Sequence, residues 1–141
     1  MIIDKALQVS DAQAVTSTAP SEDVIDFGQA TPNLGNGAQA TYMVVTVDEG
    51  ATASGDATVQ FSVQDSADNS SWADVALTKA IGKADLAAGE QIVIPMPVSL
   101  RRYTRLNYTV STGPLTAGKF SAQIVTGVQL NDPQPNSPNI A

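Results

Sequence analysis

The sequence predicts an all-β fold, an antiparallel β-sandwich or barrel. Apolar and polar residues alternate with a period of two in several segments, turns rich in Gly, Asp and Ser separate those segments, and no convincing long helical pattern is present. About seven or eight strands at a spacing of roughly 8–12 residues are typical of sandwiches and barrels. The chain is therefore interpreted as one β domain with irregular ends.

The composition is that of a single globular domain. A chain of 141 residues fits one domain, since a domain of about 150 residues buries roughly 68–70% of its unfolded surface. Hydrophobic residues make up 43% of the sequence and charged residues 15%, and no apolar run approaches the ~18 residues of a transmembrane helix. We expect a soluble protein with no membrane partner, made in the cytoplasm because a secretion signal is lacking.

The charge and the missing residue types exclude several functions. Seven Lys and Arg residues against fourteen Asp and Glu residues give a net charge of −7, which repels nucleic acid. The chain has no Cys and no His, so disulfides, Cys/His zinc sites and Ser-His-Asp catalysis are excluded. We expect no enzyme activity, no catalytic residues, no cofactor, no metal and no direct nucleic-acid partner.

Both ends of the chain are predicted to be extended arms. Residues 1–22 are rich in Ala, Ser, Thr, Gln and Asp, and a short helix at 4–15 is the competing interpretation, although its apolar spacing is poor. The sandwich domain is predicted over 23–130, beginning with the strand-like "DVIDFG" at 23–28. The tail at 131–141 contains three prolines, which favour an extended contact arm.

The clearest strands lie in the middle of the chain. Apolar and polar residues alternate in "DATVQFSVQDS" at 56–66, the pattern of a strand that is buried on one face. "SADNSS" at 66–71 has turn chemistry, and another strand is predicted from Trp72 onward. The strand that ends in "IVIPMP" at 92–97 must lie at a sheet edge or stop there, because proline donates no hydrogen bond to a ladder.

The stretch "TGPLTAGKF" at 112–120 is one residue short of the phosphate-binding motif G-x-x-x-x-G-K-S/T. That motif requires a helix after the lysine, whereas the segments 101–112 and 119–130 both alternate as strands. Phe120 also replaces the hydroxyl residue that would hold Mg²⁺. We therefore predict a hairpin loop between two strands and no nucleotide binding.

Three aspartates near the predicted turn raise the question of calcium. Asp65, Asp68 and Asp74 flank "SADNSSW", and carboxylates at short spacing can form a calcium cage. The loop lacks the bidentate Glu and the Gly of the EF-hand pattern. Turn-forming aspartates are the favoured interpretation.

The arginines and the tryptophan each leave two interpretations open. Arg101, Arg102 and Arg105 are all the arginines of the chain, and they either form salt bridges to the chain's own carboxylates or contact an acidic neighbouring subunit. Trp72 either packs at the rim of the core or stacks on a sugar ring, as aromatic platforms do in sugar-binding sandwiches.

Three segments, "DAQAVTSTAPSEDVIDFG" (11–28), "VQDSADNSSWADV" (63–75) and "IPMPVSLRRYTRLNYTVSTGPLTAGKFSAQIV" (94–125), occur in this order. Together they resemble the small capsid cement proteins of tailed bacteriophages, in particular the Bordetella-phage type. The resemblance implies a jelly-roll sandwich, made in the host cytoplasm, that ties major capsid protein subunits together on the outer surface of an icosahedral head. It also implies a small oligomer, with a homodimer favoured and a trimer possible.

A capsid cement protein is therefore the function that the sequence favours. The resemblance supplies no catalytic residues, and the contact candidates are inferred from this sequence, from its arms and its arginines. These candidates are Ile2, Ile3, Leu7, Val9, Arg101, Arg102, Arg105, Pro133 and Pro135. A tail, neck or fibre component of the virion and a carbohydrate-binding module remain the alternatives.

Overall fold

Two antiparallel sheets packed face to face make up the fold. The computed structural model describes residues 3–32, 34 and 40–128 of the chain. Within those residues the strands are β1 (Gln8–Ala14), β2 (Ala19–Pro20), β3 (Ile25–Asp26), β4 (Tyr42–Thr52), β5 (Thr58–Ser66), β6 (Ala73–Leu77), β7 (Ile81–Gly82), β8 (Gln91–Pro95), β9 (Tyr103–Ser111) and β10 (Ala117–Val125). Two short 3₁₀ turns are formed by Lys5–Leu7 and Lys83–Asp85. No helix in this described part is long and apolar enough to cross a membrane.

The strand order is that of a jelly roll. One sheet has the order β1-β10-β4-β8, and the other has the order β2-β9-β5-β6, with β3 also beside β9 and β7 also beside β5. The chain crosses between the sheets after β1, β3, β4, β7, β8 and β9. This arrangement confirms the predicted all-β sandwich and agrees with the jelly roll that the resemblance implied.

The core lies between the sheets and is centred on three buried aromatic rings. Phe61, Tyr108 and Phe120 come from β5, β9 and β10, and their ring centroids lie 5.5, 5.6 and 5.7 Å apart. The Phe61 ring meets the other two edge-on, a geometry that aromatic quadrupoles favour. On β9, Leu106 and Tyr108 are buried while Arg105 stays partly exposed, so the alternation predicted for this strand is confirmed.

Proline ends β8 at a sheet edge, as the sequence predicts. β8 pairs with β4 and forms the edge of the four-stranded sheet, and its last pair joins Pro95 to Tyr42. Proline has no N–H to donate to a further strand. The edge position predicted from the two prolines is confirmed.

The structure corrects the prediction that residues 1–22 form an arm outside the sandwich. β1 pairs with β10, and Val9 and Val15 are 0% and 1% exposed in the core. The backbone N–H of Asp23 donates to the carbonyl of Val9 at 2.9 Å, which fastens β1 to the segment that follows it. The sandwich therefore begins with β1, well before the predicted boundary at residue 23.

Irregular pairing explains why β1 does not look like a strand in the sequence. Its register to β10 shifts between Gln8 and Ser10 and again between Ser10 and Gln13, and Ala12 has a φ of 49°. Each bulge changes which face the following side chains occupy, so the apolar alternation is lost. The competing helix at 4–15 is reduced to the first 3₁₀ turn, and the rest of that segment is mainly strand.

The predicted hairpin loop after β9 is wrong. β9 and β10 belong to different sheets, so the segment 112–116 crosses from one sheet to the other. Leu115 is buried and closes this end of the core, and Gly113 has a φ of 101°, a conformation that glycine adopts at least cost. Hairpins and crossovers use the same turn residues, so local sequence did not distinguish them. Lys119 lies in β10 and pairs with Glu49 at 3.1 Å, and no helix follows it.

Candidate interaction surface

The N-terminal contact candidates differ in their burial. Ile3 is 50% exposed, so its side chain is available to a partner. Leu7 is partly buried and packs against the core. Val9 is fully buried, so the prediction that it contacts another subunit is wrong. The remaining candidates from the two ends lie outside the described residues: Ile2, Pro133 and Pro135.

Arg101 forms a salt bridge with a buried carboxylate of its own chain, that of Asp65. Its Nε and Nη2 atoms donate to Oδ1 of Asp65 at 2.9 and 2.6 Å, and its backbone N–H donates to Oδ2 at 2.9 Å. The Asp65 side chain is 5% exposed and that of Arg101 is 41% exposed. The hydrogen bonds that Arg101 donates to Asp65 raise the pKa of Arg101 above its ordinary value. The salt-bridge interpretation of Arg101 is confirmed, because its guanidinium pairs with the enclosed carboxylate of Asp65, the penultimate residue of β5.

Arg102 forms a second, more exposed ion pair. Its Nε and Nη2 atoms donate to the two carboxylate oxygens of Asp26 at 2.7 and 2.8 Å, the bidentate geometry that the guanidinium fork favours. The same guanidinium lies 5.0 Å from the centroid of the Tyr103 ring. The Arg102 hydrogen bonds lower the pKa of Asp26 to about 2, with a further contribution from the backbone N–H of Gly28.

Arg105 differs from the other two arginines in its partners. Its guanidinium lies 4.0 Å from the centroid of the Trp72 ring, and its Nε donates to Oε1 of Gln64 at 2.8 Å. The amide nitrogen of Gln64 donates in turn to Asp74 at 2.9 Å. Burial lowers the pKa of Arg105 below its ordinary value. Among the described residues, no ion pair joins Arg105 to a carboxylate.

A tight turn before β6 places Trp72. The Oδ1 atom of Asp68 accepts hydrogen bonds from the backbone N–H groups of Ser70 and Ser71 at 2.9 and 2.8 Å and from the Ser66 hydroxyl at 2.8 Å. The Ser71 and Ser70 N–H groups hold the pKa of Asp68 well below its usual range. The turn interpretation is confirmed for Asp68, whereas Asp65 pairs with Arg101 and Asp74 accepts a hydrogen bond from Gln64. Within the described residues, no cluster of three or more acidic side chains is placed to hold a metal ion.

We call the resulting surface the arginine corner and define it as Trp72, Arg101, Arg102, Tyr103 and Arg105. Pairing places Arg105, Gln64 and Asp74 opposite one another in a row across β9, β5 and β6. The corner thus contains every arginine and the single tryptophan of the chain. Each of these side chains has a fixed partner, so the corner presents an ordered arrangement of guanidinium and aromatic groups.

A buried polar network links the two sheets between β9 and β1. The Tyr108 hydroxyl donates to Ser10 at 2.8 Å, and the Ser10 hydroxyl donates to Oε1 of Gln13 at 2.8 Å. The same Gln13 oxygen accepts from the backbone N–H of Glu22 at 3.1 Å, and its amide nitrogen donates to the carbonyl of Pro20 at 2.9 Å. Burial raises the pKa of Tyr108 above its usual range. The network joins β9 to β1 and has a structural role.

The sequence indicated the arginines but not the pairing of Arg105 with Trp72. The two residues are distant in sequence, and one strand, β5, lies between β9, which carries Arg105, and β6, which Trp72 precedes. A period-two pattern places Arg105 on the outer face of β9, but it does not predict that the side chain in contact with the Arg105 guanidinium comes from the residue just before β6. The Asp68 turn determines that contact, because it directs the chain back before β6 begins.

Comparison with known proteins places the chain in a sequence family. The sequence model of the family described as Bbp16 matches residues 9–124. That range runs from the second residue of β1 to the penultimate residue of β10. No curated protein matches the chain.

Proposed function

This chain belongs to the Bbp16 family, a Bordetella phage protein family, and is a virion structural protein; from that premise we propose that it is a capsid cement protein. In this role it binds the outer surface of an icosahedral head and bridges major capsid protein subunits. The observation that supports the proposal most is the family match over the whole jelly roll, since both sheets lie within it. The resemblance of three ordered segments to phage cement proteins favours the head over the tail.

The fold has properties that suit this role. A head filled with DNA presses outward on its shell, and a clamp across a seam resists that pressure only if it does not deform. The two sheets share a core with three packed aromatic rings, and the Tyr108–Ser10 hydrogen bond joins them at one side. Such a body transmits load between two neighbouring subunits.

Self-association adds to the strength of the proposed clamp. We expect a homodimer or a trimer on a symmetry axis of the head, because most oligomers have closed symmetry. Many weak contacts on one shell then add up through avidity. The net charge of −7 favours a partner that is protein over one that is nucleic acid. We propose no catalytic activity and no cofactor.

Electron cryo-microscopy of phage particles tests the proposal directly. Particles made with and without this chain should be imaged, and both preparations should be exposed to heat and to osmotic shock. We expect ordered density at symmetric positions outside the shell, and earlier loss of DNA from particles that lack the chain. Density confined to one vertex, the tail or a fibre would instead assign the chain to a tail, neck or fibre component.

A carbohydrate-binding module is less consistent with the geometry. One face of the Trp72 ring is covered by the Arg105 guanidinium at 4.0 Å, whereas a sugar platform presents an open aromatic face to the ring of the sugar. Arg105 thus leaves only the other face of the Trp72 ring for a sugar, which favours the cement proposal over the carbohydrate-binding alternative.

A further inference from the structure

The Arg105 guanidinium is a partly buried cation that forms no ion pair with a carboxylate of the described residues. Arg101 and Arg102 are each joined to an aspartate, at 2.6 and 2.7 Å. The described hydrogen bonds of Arg105 consist of one, from Nε to the neutral side chain of Gln64. Since arginine has five N–H donors in a planar fork, the Nη side of this fork has donors that the described contacts do not use.

This arrangement costs free energy in the isolated chain. A partly buried charge loses part of its hydration, and burial accordingly lowers the pKa of Arg105 below its ordinary value. The chain contains fourteen acidic residues, and two of them already neutralise Arg101 and Arg102. A carboxylate from outside the chain would give Arg105 the ion pair that Arg101 and Arg102 already have.

The arginine corner also has the residue types and the fixed side-chain conformations that are typical of a binding surface. Trp, Tyr and Arg are the residue types most enriched among the residues that dominate binding energy at interfaces. Stacking on Trp72 fixes the plane of Arg105, and the Asp26 pair fixes Arg102 beside Tyr103. Because these side chains are already ordered, little rotamer entropy remains to be lost on binding.

We infer that the arginine corner is the surface that contacts the shell, and that the major capsid protein supplies a carboxylate to the fork of Arg105. This inference rests on the proposed cement function and identifies the part of the molecule that performs it. The partner is recognised by its chemistry, a protein surface that presents an acidic side chain at the seam. Trp72 acts as the platform that holds the guanidinium in the plane of that carboxylate.

A binding assay with matched variants tests this inference. Shells should be prepared from a phage mutant that does not make this chain, and purified full-length protein should be added and co-sedimented with them over a range of salt. Arg105→Gln removes the charge and the fork, while Arg105→Lys keeps the charge and removes the fork. Lys119→Gln is the control, because it removes one positive charge from an exposed pair on the other sheet.

We expect Arg105→Gln to weaken binding by roughly tenfold or more, the range of a close interfacial charge pair. Arg105→Lys should recover part of the affinity, since one point charge replaces a bidentate fork. The salt dependence of binding should decrease in Arg105→Gln, and Lys119→Gln should bind like the wild type. Thermal melting of each variant establishes that the compared proteins are folded.

The outcomes separate this inference from the proposed function. If the wild type binds shells and Arg105→Gln binds equally well, the corner is not the contact and the cement function stands. If the wild type binds no shells at any salt concentration, both proposals fail. If the wild type instead binds a glycan array and Trp72→Ala abolishes that binding, the corner is a sugar site and the inference is overturned.

Discussion

The phenolic hydroxyl of Tyr108, on β9, donates a 2.8 Å hydrogen bond to the hydroxyl of Ser10, on β1, and so connects the two sheets of the sandwich. Both side chains are fully buried. The Ser10 hydroxyl donates in turn to Gln13, and the Gln13 side chain also hydrogen-bonds the backbone of Pro20 and Glu22. β1, the strand that was not predicted from the sequence, is therefore attached by polar contacts as well as by pairing with β10.

Tyr108→Phe should destabilise the protein by about 0.5–1.5 kcal/mol, the net contribution of one hydrogen bond, because the ring packing is kept and the hydroxyl is lost. The free energy of unfolding from urea titrations measures this change. Tyr103→Phe is the matched control, since Tyr103 lies on the outer face of the same strand. Equal stability of Tyr108→Phe and the wild type would show that the hydroxyl pair contributes nothing.

Val9→Ala should lower the free energy of unfolding by about 2 kcal/mol, because two methyl groups leave a fully buried site. Ile3→Ala, at a position that is 50% exposed, should stay within about 0.5 kcal/mol of the wild type. Urea titrations of the two variants test the placement of β1 in the core. If Val9→Ala were as stable as Ile3→Ala, β1 would not be part of the folded sandwich in solution.

Arg101→Ala should lower the melting temperature more than Arg102→Ala does. Both changes remove a guanidinium from an aspartate, but Asp65 is 5% exposed whereas Asp26 is 42% exposed. In Arg101→Ala the buried carboxylate of Asp65 keeps only the backbone N–H at position 101 and has little water to replace the lost guanidinium, so the decrease is larger. Calorimetry of the two variants gives the comparison directly. A larger decrease for Arg102→Ala would contradict this assignment.

Acid should destabilise the protein between about pH 4 and pH 2. The pKa of Asp26 is about 2 in the folded chain and 3.8 ordinarily, so the unfolded state takes up a proton first as the pH falls. The stabilisation is thus complete above the ordinary pKa and is lost as the pH falls through the folded value. The pKa of Asp68 is lowered as well, which adds to the effect in the same direction.

Urea midpoints measured from pH 5 to pH 2 follow this loss. Asp26→Asn should flatten the dependence, because the asparagine neither takes up nor releases a proton in that range. Asp26→Asn together with Asp68→Asn should flatten it further. An unchanged slope in the double variant would mean that other carboxylates cause the acid sensitivity.

Local patterns in the sequence were sufficient for the regular strands. Phe61 and Leu106 lie on the buried face that alternation assigns to them, and Pro95 stops β8 where the missing N–H requires it. These predictions succeeded because each depends on a property of one strand alone. Burial on one face and the lack of a donor are both visible within a few residues.

Other features depend on contacts between distant parts of the chain. The bulges around Ser10 follow from the register between β1 and β10, and the crossover at 112–116 follows from which sheet each strand joins. The Arg105 guanidinium contacts the Trp72 ring only when β9, β5 and β6 are paired side by side. No short window of sequence contains that information, so the site was predicted in part and its central contact was missed.

The pairing of β1 with β10 also sets the order of events during synthesis. Ala12 donates its backbone N–H to the hydroxyl of Ser121, 109 residues further along the chain. β1 leaves the ribosome early and remains unpaired until β10 has emerged. Folds dominated by contacts between residues far apart in sequence form slowly. The four-stranded sheet can therefore close only after translation has passed β10, and until then Val9 of β1 and Val15 just after it lack the core that buries them in the folded protein.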